Sequence, residues 1–352
     1  MGAILGVIFH FLGGFASGSF YMAFKKVKNW AWESYWLIGG LFSWLIVPPL
    51  AAALTIPGFM DIIQSAEFTV LSWTYIMGVL WGIGGLTYGL GIRYLGMSLG
   101  NSVILGYCAA FGSLIPPLYY NYFPQSGKIS FSHMMSTESG RMVLLGVLVC
   151  LAGIAICGRA GVMKERDLPE EEKRKSIAEF SLVKGLIVAT VSGILSACFN
   201  FGIEAGKPMA EAAVKLGYNP LFQNNVTYVV LLWGGLTTNF IWCIILNAKN
   251  KTFSDYTNKK TPLARNYLFS ALAGTTWFLQ FFFYGMGESK LGNGASSWIL
   301  HMAFIILVSN MWGLFLKEWA GVKTRTRRTI VLGILTILAS VFLVGYGNSL
   351  TN

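Results

Sequence analysis

The chain has 352 residues, of which 55% are hydrophobic and 12% charged, about half the charged share of a soluble domain. That excludes an ordinary water-soluble fold. A formal net charge of +11 invites a polyanionic partner, but the cations sit in clusters between apolar runs, which excludes nucleic acid and leaves the lipid bilayer.

A helix needs about 20 apolar residues to cross a bilayer, and ten such runs are predicted: 3–24, 35–56, 70–92, 97–120, 141–159, 183–206, 220–247, 265–287, 293–316 and 329–347. Five cations, Lys128, Arg141, Lys207, Lys215 and Lys290, fall on one side of such a chain; the other 21 of the 26 Lys and Arg fall on the side reached after the first run. The positive-inside rule then places both termini outside the cytoplasm. The first run lacks a basic start and is too long for a signal-peptide core, so no cleavable signal is expected.

In chain order, the first run carries His10, Gly14, Ser17 and Tyr21 at steps of three and four, one face of a helix. The third carries Trp81-Gly-Ile-Gly-Gly-Leu-Thr-Tyr88-Gly89-Leu-Gly91, followed by Leu95-Gly96. The same Trp, Tyr, Gly, Gly, Leu and Gly recur ungapped 196 residues later, from Trp277 through Tyr284, Gly285 and Gly287 to Leu291-Gly292. A charged stretch between Arg159 and Lys184, with Pro169, reads as a solvated linker. After it, Gly185 to Phe199 aligns with Gly6 to Phe20. The chain therefore divides into a first half (1–160), a linker (161–183) and a second half (184–352). Five spans is an odd number, so the halves must enter the membrane in opposite senses. The expected fold is an all-α integral membrane protein of ten transmembrane helices in a 5+5 inverted repeat, with its site near the midplane between halves.

The sixth run carries Ser192, Ser196, Asn200 and Glu204, the eighth Gln280, Tyr284 and Glu288, and the ninth Ser297, His301 and Ser309, each series on one helix face. Polar groups inside lipid face a bundle interior or a water-filled cavity. Ser can bond its own helix; Asn200 and Gln280 are expected to look off theirs. His10 and His301 lie about eight residues, roughly 12 Å, from the outer face. Each is either a structural hydrogen-bonding group or a proton carrier, histidine being the side chain that titrates near neutrality. Glu204 and Glu288 are either interfacial or second proton carriers. Rings with a polar edge, Trp277, Tyr284, Tyr21 and Tyr88, join Asn200 and Gln280 as candidate contacts for a small neutral monosaccharide. The five cysteines form no CxxC pair and read as packing residues. No metal-spaced cluster, phosphate loop or nucleophile elbow appears, so neither a metal, a cofactor nor enzyme chemistry is expected, and no obligate protein partner is evident.

Together with His10, the segments Phe24-Lys-Lys-Val-Lys28, Trp32-Glu33, Arg93-Tyr-Leu-Gly-Met-Ser98, Gly140-Arg-Met-Val-Leu-Leu-Gly-Val-Leu148, Arg159-Ala-Gly161, Lys207-Pro-Met209, Trp277 to Tyr284, Leu300-His-Met302 and Leu316-Lys-Glu-Trp319 make the chain resemble, over almost its whole length, the L-rhamnose–proton symporter family of the drug/metabolite transporter superfamily. The resemblance implies uptake of a 6-deoxyhexose with H⁺ as coupling ion through a bacterial inner membrane, by ten helices with both termini periplasmic. Two other readings stand beside it. An exporter of lipophilic cations or small metabolites would want a mid-span carboxylate, and none is there. A non-transporting sugar sensor would want an output domain, and the loops are too short.

Overall fold

The computed structural model describes residues 2–95, 97–125, 127–167, 182–315 and 319–350. Among them the chain is helical, with short 3-10 and π turns and no strand. The first half comprises α1 (Gly2–Ser19), α2 (Tyr21–Phe24), α3 (Trp32–Gly40), α4 (Val47–Thr55), α5 (Phe59–Ser65), α6 (Phe68–Leu95), α7 (Met97–Tyr122), α8 (Phe131–Ser136) and α9 (Glu138–Asp167). The second comprises α10 (Leu182–Ala205), α11 (Lys207–Lys215), α12 (Asn224–Asn250), α13 (Leu263–Leu291), α14 (Gly294–Phe315) and α15 (Thr324–Ser349).

Nine described segments are long and apolar enough to cross a membrane: Gly2–Phe24, Trp32–Thr55, Phe68–Gly91, Ser102–Tyr122, Glu138–Asp167, Val183–Lys215, Pro220–Asn250, Gly294–Phe315 and Thr324–Ser349. The eighth predicted run, 265–287, lies inside α13, a helix of 29 residues that is not among the nine. The first two predicted spans are each composite. Span 1 breaks between Ser19 and Tyr21. Span 2 passes from α3 through a π-helical turn, Leu41–Ile46, into α4. Pro48 and Pro49 follow one residue after that turn. A proline ring clashes with the carbonyl four residues earlier and cannot donate to it; widening the turn before Pro48 relieves the clash.

Helix α9 continues to Asp167 because its end has something to bind: Asp167 accepts hydrogen bonds from the Lys323 amide (3.0 Å) and the Thr326 hydroxyl (2.6 Å) at the start of α15. Of the predicted linker, 168–181 lies outside the described residues, as does Gly96 of the first repeat copy and 316–318 of one family motif.

Two close helix crossings share one geometry. A side chain at Gly78 of α6 would run into the Leu231 carbonyl of α12, and one at Gly274 of α13 into the Gly39 carbonyl of α3. Small residues let membrane helices approach to backbone contact, and Gly78 and Gly274 are separated by the repeat interval. At the end of the bundle away from the N-terminus, the chain after α2 is strapped down. The Asn266 side chain accepts from the Lys28 amide (3.0 Å) and donates to its carbonyl (2.8 Å). Asp255 accepts from the Ala31 amide and the Ser34 hydroxyl, both at 2.8 Å.

Candidate functional site

The main buried cluster draws on α7, α9, α10, α12, α13, α14 and α15, and α1 packs against it through Val7. His10, Asn200, Tyr284 and His301 are each at most 1% exposed. The Tyr284 ring sits 5.3 Å from His10 and 5.2 Å from His301, edge-on to both, and the two imidazoles are 6.3 Å apart. Both histidines occupy notches cut by glycine. A side chain at Gly287 of α13 would meet His10 Nε2 at 2.7 Å, and one at Gly13 of α1 would meet His301 Cε1 at 3.3 Å. Among the described residues, none of the four ring nitrogens has a hydrogen-bond partner. Buried polar atoms in native proteins nearly always have one; Trp44 Nε1, Tyr228 Oη and Ser297 Oγ are also without one among the described residues, and the two imidazoles differ from these in facing one shared tyrosine.

Tyr284 is fixed from below. Its hydroxyl donates to Asn200 Oδ1 (3.2 Å), and Asn200 Nδ2 donates to the Gly112 carbonyl (2.8 Å). That carbonyl is free because the residue four positions on is Pro116, which has no N–H to give it. Asn200 therefore looks off its helix, as expected. The amide of Gln280 does not: Nε2 donates to the Trp277 carbonyl of its own helix (2.9 Å), reaching back three residues where the sequence reading required a neighbour.

An aromatic layer floors the cluster. Trp277 of α13 and Trp81 of α6, the two repeat tryptophans, meet with ring centroids 5.6 Å apart, and Trp44 lies 5.8 Å and 6.2 Å from them. Phe199 and Phe281 stack at 3.9 Å, and Trp298 closes over Tyr284 at 6.0 Å. Two candidate residues lie elsewhere. Tyr21 is exposed beyond the break in span 1, its hydroxyl 3.4 Å from that of Tyr35. Tyr88 packs with Leu95, Ile104 and Ala189 in a separate apolar group.

The two candidate carboxylates stand above the cluster, at the end of the bundle where the chain begins, and neither is alone. Glu288 is buried, bonded to Lys207 Nζ (3.1 Å) and to the Asn224 side-chain amide. Glu204 takes Lys128 Nζ (2.6 Å) and the Tyr120 hydroxyl (2.9 Å) on Oε2. A buried carboxylate is tolerable when its charge is matched and its lone pairs are bonded. Sequence reasoning missed Lys128, Lys207, Asn224 and Tyr120 as partners, and Trp44 and Trp298 as walls. A signal existed: Lys128 and Lys207 are two of only five cations on the sparsely charged side. All five cysteines are buried and free, and among the described residues no His/Cys/Asp/Glu group could hold a metal.

Apolar helices long enough to span a bilayer, packed around a buried group of polar side chains, define an integral membrane protein. The particular family is shown by comparison: the profile of the L-rhamnose-proton symport protein family matches residues 1–350, and this chain belongs to that family. The L-rhamnose-proton symporter of Shigella dysenteriae serotype 1 (strain Sd197) is 40% identical over 348 residues, 97% of each chain. That of Yersinia pestis (strain Pestoides F) is 40% identical over 349 residues, 98% of each. A solved crystal structure of a protein with 12% identity superposes with a TM-score of 0.54, covering 96% of this chain and 95% of that one, which shows a shared fold. The family is one of transporters, not enzymes.

Proposed function

We propose that the protein imports L-rhamnose, or a similar 6-deoxyhexose, in symport with H⁺ across a bacterial inner membrane. The sugar binds between Trp277, Gln280, Tyr284 and Asn200, and His10 and His301 carry the proton, with Glu288 or Glu204 as a second carrier. The observation that carries this reading is the histidine pair itself: two buried imidazoles flanking one tyrosine, with four unbonded nitrogens. A proton arriving on either ring changes the charge of a low-dielectric centre, where its effect on neighbouring groups is largest. The relatives named above support the substrate and the coupling ion.

In the same reading α13 is a tenth span. At 1.5 Å per residue its 29 residues reach roughly 43 Å, more than the hydrocarbon thickness. The ten spans form two five-helix halves, 1–160 and 184–352, inverted about the central tryptophans, as in the drug/metabolite superfamily. Three pairings support the inversion: Gly78 at Leu231 against Gly274 at Gly39, Gly91 at Ala189 against Gly287 at His10, and Trp81 against Trp277. Cation distribution supports periplasmic termini. Uptake into proteoliposomes under an imposed pH gradient tests the coupling. His10→Ala and His301→Ala lose pH-driven accumulation; if both accumulate sugar with wild-type pH dependence, histidine coupling is wrong.

A further inference from the structure

Above Glu204 and Lys207, at the end of the bundle where the chain begins, a cleft of about 650 Å³ opens between α6, α7 and the α10–α11 corner. It is distinct from the central cluster, and its size falls in the range of small-molecule sites, about 300–1,000 Å³. Its two walls differ. One carries Lys128, Glu204, Lys207 and Glu211; the other carries Trp73, Met77, Ile115 and Tyr119. Glu204 is four residues beyond Asn200 on α10, about 6 Å along the axis, so the floor of the cleft is roughly one helical turn from the central hydrogen-bonded network.

We propose that this cleft is a second, peripheral sugar site, which holds the 6-deoxyhexose before it enters the centre. The proposal rests on the transport reading above. A 6-deoxyhexose is itself two-faced: vicinal hydroxyls on one side, and a methyl group with axial C–H bonds on the other. The charged wall offers matching partners. Lys128 and Lys207 each have more donors than the carboxylates they already meet. The hydrogen bonds of Glu204 fall on Oε2, while its Oε1 is turned toward Gly294, outside the cleft lining, so the two lysines are the donors the cleft offers. The apolar wall supplies exposed ring faces, Trp73 and Tyr119, for the C–H surface. The Lys128–Glu204 pair and Lys207 lie on the cleft lining, where a sugar passing inward exchanges their contacts for its own. Hydroxyls replacing those bonds one for one make that passage nearly balanced in hydrogen bonds.

The test uses the full-length protein in nanodiscs. Thr69→Cys places a thiol on the cleft lining, while the five native thiols are buried and stay silent toward a charged, membrane-impermeant thiol reagent. L-rhamnose slows labelling at this position at least threefold, sorbitol does not, and the protection survives when Asn200→Ala and Gln280→Ala are added to disable the central site. In uptake, Trp73→Leu raises the apparent KM severalfold with a maximal rate within twofold of wild type. The proposal is overturned if a protein that transports L-rhamnose normally shows no sugar protection, or if protection vanishes with the central substitutions, since closure of the centre then explains it. It is also overturned if labelling is slow with or without sugar and recovers in detergent, which identifies a lipid in the cleft. Absence of L-rhamnose uptake by the wild-type protein is a separate result and strikes the transport reading itself.

Discussion

Asn200→Ala probes the hydrogen-bond chain that aims Tyr284. Removing the side chain strands two buried groups at once, the Tyr284 hydroxyl and the Gly112 carbonyl. Each stranded group costs about 1–3 kcal/mol, although hydrogen bonds between membrane helices average nearer 0.6 kcal/mol. The expected total for the two groups therefore lies between about 1 and 6 kcal/mol. Pro116 is the reason that the carbonyl needs Asn200 at all, so Pro116→Ala provides the control: the restored amide at 116 bonds Gly112 within the helix. In that background Asn200→Ala strands only Tyr284, and its cost falls by about 1 kcal/mol, a coupling well inside what double-mutant cycles resolve. The assay is thermal unfolding in detergent followed by a dye that fluoresces on reacting with thiols, for which the five buried cysteines are built-in reporters. Additive costs for the two substitutions refute the argument.

Three further outcomes follow from the same contacts. Lys207→Met leaves Glu288 buried without its cation and destabilises the protein by about 3–5 kcal/mol, and adding Glu288→Gln recovers most of that loss; a double variant as unstable as the single in the same melting assay shows that the pair is not coupled. Gly287→Ala places a methyl 2.7 Å from His10 Nε2 and costs about 1–3 kcal/mol of overpacking, with uptake reduced more than in Gly285→Ala, whose nearest neighbour is the Tyr228 hydroxyl at 3.0 Å; equal uptake in the two variants counts against a close-fitted histidine. Asp167→Asn weakens the bonds that hold α9 to the start of α15 and speeds proteolysis near that contact without changing the apparent KM for sugar, which limited digestion and uptake kinetics check.

Hydropathy located the helices because lipid allows little choice of backbone: every buried amide must be bonded within its own segment. The polar strips found His10, Asn200, Tyr284 and His301 because a helix repeats every 3.6 residues and each strip faces one way. The same logic failed for Tyr21, and the aromatic reading failed for Tyr88. Tyr21 follows the break after Ser19, so the strip ends before reaching it. Tyr88 is the repeat counterpart of Tyr284, but the position matching His10 is Ala189, and its surroundings are correspondingly apolar. Pairings across helices, such as Lys207 with Glu288 over 81 residues, depend on which crossings form, and no local period records that. Pro116 was the overlooked local clue, since a proline inside a membrane helix announces a carbonyl in need of a donor.

The π-helical turn in span 2 has a mechanical meaning. A regular helix resists bending because each turn is tied to the next; here the ladder is already interrupted by Pro48 and Pro49, so flexing at Leu41–Ile46 breaks few additional backbone bonds. Below it, α3 is anchored through Ser34 to Asp255 and through Glu33 to Asn250 and Thr252. The compliance is thus confined to the upper arm, α4. Trp44, seated in that turn and touching both Trp81 and Trp277, is where a swing of that arm would be felt first, which makes this indole the natural reporter for watching the molecule change shape.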